Sequence, residues 1–219
     1  MRNEDWAHLE TNHGFAIVAD GMGGLQAGQI ASRTAVERTT DALIASPKLD
    51  VDTLESALKL AHEAVQAKAK GLDLLGRMGT TLVIWAVTPG GCVCSHIGDS
   101  RAYRIRGGRI EQFTKDQSLA QRLIDLGLSE NDEETRAHNA HILTQAIGLP
   151  GDFEPESITI DSEYERYLLC SDGLSDMVDD ARICELMQIP DLETCSDELI
   201  KAALDRGGRD NVSVVLIEP

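Results

Sequence analysis

The stretch Thr80-Thr81-Leu82-Val83-Ile84-Trp85-Ala86-Val87-Thr88-Pro89-Gly90-Gly91-Cys92-Val93-Cys94-Ser95-His96-Ile97 reads as a β-hairpin. Two apolar runs, Thr80–Val87 and Cys92–Ile97, flank a Pro-Gly-Gly turn that ends pairing on both sides. A second hairpin is expected directly downstream, where Ala102–Ile105 and Arg109–Phe113 flank Gly107-Gly108, a dipeptide suited to a primed turn. Upstream the periodicity is helical. Residues 24–46 carry Ile30, Ala31, Ala35, Val36 and Leu43 and stop before Pro47, while residues 51–70 carry Leu54, Leu58, Ala61 and Val65 and end near Gly71. Further strands are expected over 14–20, 156–161, 166–171 and 212–217, and a second helix pair over 180–188 and 193–206. Strands in hairpins and helices in pairs, without β-α-β alternation, predict an α+β fold: helix pairs outside a sandwich of two antiparallel sheets.

The 219 residues suffice for one sizeable core, and no linker or repeat divides them, so a single domain over 1–219 is expected. No apolar run approaches the ~20 residues of a membrane span, and the N-terminus has no apolar signal region, so a cytoplasmic monomer is expected. The net charge of -17 argues against a nucleic-acid partner, whose phosphates would be repelled. Five cysteines, including Cys92 and Cys94 two apart on one strand face, read as buried reduced thiols.

The chemistry is concentrated in aspartates at strand ends. Asp20 lies in Val18-Ala19-Asp20-Gly21-Met22-Gly23-Gly24, Asp172 in Cys170-Ser171-Asp172-Gly173, Asp210 in Arg209-Asp210-Asn211-Val212-Ser213, and Asp99 in Ile97-Gly98-Asp99-Ser100. Singly, each is an ordinary turn residue. Jointly they suggest an oxygen-ligand centre for Mn²⁺ or Mg²⁺, ions that prefer carboxylate, carbonyl and water oxygens. Asp20 is placed to bridge two ions, with the Gly21 carbonyl as a further ligand. Asp172 and Asp210 complete one ion, and Glu4 supports the other. Such a pair lowers the pKa of a shared water and stabilises in-line displacement at phosphorus. The Gly21–Gly24 turn lacks the Lys-Ser/Thr of a phosphate-binding loop, and His138 and His141 in a polar segment read as solvated rather than as zinc ligands. Arg206 and Arg209, near Asp210, read as helix capping and local ion pairing.

In order, Val18–Gly24, Gly79-Thr80-Thr81, His96–Arg101, Cys170–Leu174 and Asp210–Ser213 resemble the metal-dependent serine/threonine protein phosphatases of the protein phosphatase 2C family, in compact bacterial form. The resemblance implies an αββα sandwich with the metal centre between the sheets. It also implies hydrolysis of phosphoserine and phosphothreonine on proteins by a hydroxide bridging two ions, opposing a Ser/Thr kinase. Asp20, Asp172 and Asp210 are then the catalytic metal ligands, with the Gly21 carbonyl and Glu4. Asp99, shared with Asp172, is the ligand of a third, weaker site. Residues 115–148 resemble the flap beside the active site.

Two positions depart from the family pattern. The substrate-phosphate arginine falls before Met1, so the chain reads as starting late and an edge strand is in question. Arg2 is the nearest substitute, one residue out of register. At Asp116-Gln117-Ser118 many bacterial relatives carry histidine in the middle, and no acid catalysis is assigned to Gln117. These departures sustain a rival reading, a catalytically weak phosphatase-like module that binds partners. A third reading is a phosphatase acting within an anti-sigma-antagonist switch.

Overall fold

A computed structural model describes residues 3–24, 26–129, 139–160 and 166–218. Two antiparallel sheets stack face to face. The first, of five strands, runs β1 (Trp6–Glu10), β2 (Phe15–Ala19), β5 (Leu82–Thr88), β6 (Gly91–Ile97), β9 (Glu156–Ile160). The second, of four strands, runs β11 (Val214–Ile217), β10 (Arg166–Cys170), β7 (Arg101–Arg106), β8 (Arg109–Gln112). Helices α1 (Ala27–Ile44) and α2 (Val51–Gly71) cover the first sheet, and α4 (Asp172–Ser175), α5 (Asp180–Leu186) and α6 (Leu192–Asp205) cover the second. This is the predicted αββα sandwich.

Strand alternation sorts the side chains into three apolar layers. Phe15, Ile17, Leu82 and Ile84 point to α1 and α2. Their neighbours Ala16, Val18, Val83 and Trp85 point the other way, to Tyr167, Leu169 and Ile217 of the second sheet. Tyr103, Ile105, Leu168 and Cys170 then meet Leu174, Ile183 and Leu199 of α4–α6. Because β2 is buried on both faces along its whole length, it reads as a continuous apolar run rather than an alternating one. Cys92 and Cys94 sit between the sheets as free thiols, and burial pushes the Cys94 thiol well above its usual range.

The hairpins and paired helices stand within a few residues of their expected bounds, and three features differ from the reading. β1 was left unassigned, although Trp6, His8 and Glu10 are more shielded than Ala7 and Leu9, the alternation of an edge strand. α1 begins at Ala27, because Gly23 (φ 130°) and Gly24 (φ 64°) hold conformations that end regular structure before it. A two-residue ladder joins β3 (Gly21–Met22) to β4 (Gly79–Thr80). Within residues 117–148, whose pattern reads as mixed helix and loop, α3 (Leu119–Asp125) forms with its N-terminus capped by Ser118 Oγ. Among the described residues no helix is long and apolar enough to cross a membrane.

Candidate metal centre

Asp20 leaves the end of β2, and its backbone is held on both sides. Its N–H donates to Thr81 Oγ1 at 2.9 Å, while its carbonyl accepts from Thr80 Oγ1 at 2.7 Å and from the Thr81 N–H at 2.9 Å. Thr81 Oγ1 in turn bonds Ser100 Oγ at 2.7 Å, one residue beyond Asp99. The Gly79-Thr80-Thr81 motif therefore acts as a clamp that fixes where the Asp20 carboxylate points and ties it to the β6–β7 turn.

Asp172 opens α4 directly after β10, on the second sheet. Asp99 sits in the turn from β6 to β7, where Gly98 adopts φ 100° and Gln117 Oε1 accepts the Gly98 N–H at 2.9 Å. Asp210 lies on the loop from α6 to β11. That loop is fastened to the N-terminal segment, because the Glu4 N–H donates to Asn211 Oδ1 at 2.7 Å. Ser171 joins the two halves, donating to Asp5 Oδ2 at 2.7 Å and accepting the Ser213 N–H at 3.0 Å.

The resulting cluster is acidic and crowded. Glu4, Asp5, Asp20, Asp99, Asp172 and Asp176 all have carboxyl pKa values raised above the ordinary range, with burial the largest cause in each. Asp20 is pushed up to about 11 by burial, then by the neighbouring charges of Asp5 and Asp172. The Arg101 guanidinium offsets part of this at Asp172 and Asp176, but it is engaged with Asp116 at 2.6 Å. Buried carboxylates without paired cations are costly, so this donor set fits a polyvalent cation.

Two further observations agree. Asp5 Oδ1 and Asp172 Oδ1 are buried without any hydrogen-bond partner. The Gly21 carbonyl and Glu4 Oε2 also converge on Gly28 of α1. A Cβ at Gly28 would stand 2.6 Å from the Gly21 oxygen and closer still to Glu4 Oε2, so the cradle exists only because Gly28 has no side chain. Gly21 is itself confined, since a Cβ there would stand 2.6 Å from the Glu4 carbonyl oxygen. Among the described residues no three acidic, imidazole or thiol side chains close into a ready-made cage. Mg²⁺ and Mn²⁺ sites commonly have this character, with few carboxylates and waters completing the octahedron.

The fold thus brings Glu4, Asp20, Gly21, Asp99, Asp172 and Asp210 to one end of the sandwich, as the sequence reading expected. Arg2 and His138 lie outside the described residues, and His141 lies on the groove beside the site. Sequence reasoning missed Asp5, which is only 4% exposed, and Asp176. Neither follows an apolar strand run, so the strand-end signal passed over both. The period-2 alternation of β1 points the wrong way for Asp5, which shares the parity of the exposed Ala7 and Leu9; its burial follows from the bond to Ser171 across the sandwich.

A groove of ≈ 1230 Å³ leads from Asp172, Asp176 and Asp210 to Lys115 and Gln121.

The protein phosphatase 2C family profile matches residues 1–206. The chain is 38% identical over 220 residues to the serine/threonine protein phosphatase PstP of Mycobacterium tuberculosis, covering 99% of this chain and 42% of PstP. It is 34% identical over 228 residues to the protein phosphatase PhpP of Streptococcus pneumoniae, covering 98% of this chain and 91% of PhpP. A crystal structure of the PstP catalytic domain in complex with two manganese ions superposes with a TM-score of 0.87 at 35% identity, covering 99% of this chain and 91% of that one. The chain spans less than half the length of full PstP but nearly all of its solved catalytic domain. With the ordered motifs, the sandwich and the acidic cluster in agreement, the chain belongs to the protein phosphatase 2C family.

Proposed function

We propose that this chain is a Mn²⁺- or Mg²⁺-dependent protein-serine/threonine phosphatase that opposes a Ser/Thr kinase. The observation that carries this reading is the set of mutually repelling carboxylates around Asp20 and Asp172, which meets a solvent-open groove at Asp172, Asp176 and Asp210. Asp20 would be shared between two ions, with the Gly21 carbonyl and Glu4 holding one and Asp172 and Asp210 the other. Asp99, which feels the charge of Asp172, would hold a third. When bound, such ions supply an activated water and neutralise charge developing on the phosphoryl group.

The protein's own part is placement. Thr80 and Thr81 fix Asp20, Ser171 ties Asp5 to the second sheet, and Asn211 holds Glu4 against the Asp210 loop. Pre-organised ligands raise metal affinity and leave the phosphoester to be oriented by the groove walls. Phosphorylated proteins are the substrates, and the groove beside the acidic cluster is where they would enter.

The test is hydrolysis of phosphoserine peptides with and without added Mn²⁺. Turnover should require the ion and fall at least 100-fold in Asp20→Ala and Asp172→Asn. Metal binding without turnover on any phosphopeptide would favour the binding-module reading, although a pure scaffold has no need for this cluster.

A further inference from the structure

We propose that Arg209 is a substrate-binding residue that grips an anionic group of the phosphorylated substrate; this rests on the phosphatase reading above. Among the described residues the groove is lined by four strong cations: Arg101, Lys115, Arg206 and Arg209. Three are already engaged. Arg101 holds Asp116 through both carboxylate oxygens, Lys115 pairs with Asp125 at 2.7 Å, and Arg206 pairs with Asp179 at 3.2 Å. Arg209 is exposed and makes no ion pair or hydrogen bond among the described residues.

The backbone beneath it is nevertheless anchored on both sides. Gly207 (φ 122°) and Gly208 (φ 49°) end α6, with the Gly208 N–H returning to the Ala203 carbonyl at 3.2 Å. On one side Arg206 also donates to the Met177 carbonyl at 2.9 Å. On the other, Asn211 Oδ1 accepts the Glu4 N–H. A free guanidinium thus stands on a fixed base, next in sequence to Asp210, on the wall of the groove that a phosphopeptide must enter.

Electrostatics gives this fork a task. The chain carries a net charge of -17, and the groove also presents Asp176, Asp179 and Asp180, so an anionic substrate meets a repulsive field. An unengaged guanidinium offers a local exception with two parallel donors, the geometry that suits phosphate or carboxylate.

The experiment compares wild type, Arg209→Gln and Arg209→Lys, all loaded with Mn²⁺, on three substrates. These are p-nitrophenyl phosphate, a phosphoserine peptide with alanine flanks, and one with glutamate flanks. Arg209→Gln should raise KM about tenfold with kcat within about twofold, and Arg209→Lys should recover part of the loss. A rise on all three substrates assigns the reacting phosphoryl as the anion held; a rise on the glutamate-flanked peptide alone assigns a flanking carboxylate. Because the side chain is exposed and makes no ion pair or hydrogen bond among the described residues, Tm should stay within about 1 °C. Wild-type KM values retained on all three substrates would overturn the role of Arg209. Absence of wild-type turnover on every substrate would instead overturn the phosphatase reading itself.

Discussion

Asp20→Asn should stabilise the metal-free protein while removing its response to manganese. The Asp20 carboxyl, ordinarily near 3.8, is pushed up to about 11, so without a cation it stays protonated in the folded state at neutral pH. The unfolded chain releases that proton. Because the folded-state value is raised, the native form binds more protons, and stability falls as pH rises from about 4 towards the folded value. Each pH unit above the unfolded value costs about 1.36 kcal/mol, which gives an upper bound of ~5 kcal/mol at about pH 7.5 and ~1.6 kcal/mol at about pH 5. Asp5 and Asp172 share the burden, so a gain of about 2 kcal/mol is expected for the isosteric amide at the higher pH, and less than about 1 kcal/mol at the lower. Urea denaturation in the presence of a chelator measures both. For wild type, manganese at about 100 times its Kd should add about 2.7 kcal/mol, a Tm rise of roughly 5–11 °C for a chain of this size; the variant should show almost none. A metal-free Asp20→Asn protein less stable than wild type at about pH 7.5, or equally affected at both pH values, would refute the argument that crowded carboxylates strain this site.

Gly28→Ala should weaken manganese binding at least tenfold by calorimetry, because its Cβ intrudes between Glu4 Oε2 and the Gly21 carbonyl, even though alanine is the better helix former. Thr81→Val removes the acceptor of the Asp20 N–H and the partner of Ser100, so a loss of about 1–3 kcal/mol in urea unfolding is expected, together with a lower kcat. Arg166→Ala is the control far from the site. Arg166 donates to the Met187, Ile189 and Pro190 carbonyls and pairs with Glu218, so its loss should cost about 3–5 kcal/mol by denaturation while leaving KM on phosphopeptides unchanged.

The parts of the site that were legible in the sequence share a physical cause. Asp20 directly follows a fully buried strand and Asp172 follows one after Ser171, so a buried apolar run leading into Asp-Gly announces a carboxylate delivered to the sandwich edge. Gly21 was legible for the same reason. Gly28 was not, because a glycine early in an amphipathic helix shows its purpose only when Glu4, far away in sequence, is seen against it. Thr80 and Thr81 were recognisable as a motif, yet their role emerges only from pairing with the Asp20 backbone across sixty residues. Arg209 was read as a capping and pairing residue; in the fold Arg206 takes that part and leaves Arg209 unengaged. Strand β1 was hidden by its polar content, since one face of an edge strand meets solvent.

The bond from the Glu4 N–H to Asn211 Oδ1 spans 207 positions of the chain. A contact of that separation forms only after both sheets exist and have met, so the cation site is among the last things the chain can build. During synthesis Asp20 emerges well before Asp172 and Asp210 have been made, so the acidic cluster does not yet exist. The acidic cluster of this molecule is therefore completed only when the segment carrying Asp210 and Asn211 has joined the one carrying Glu4.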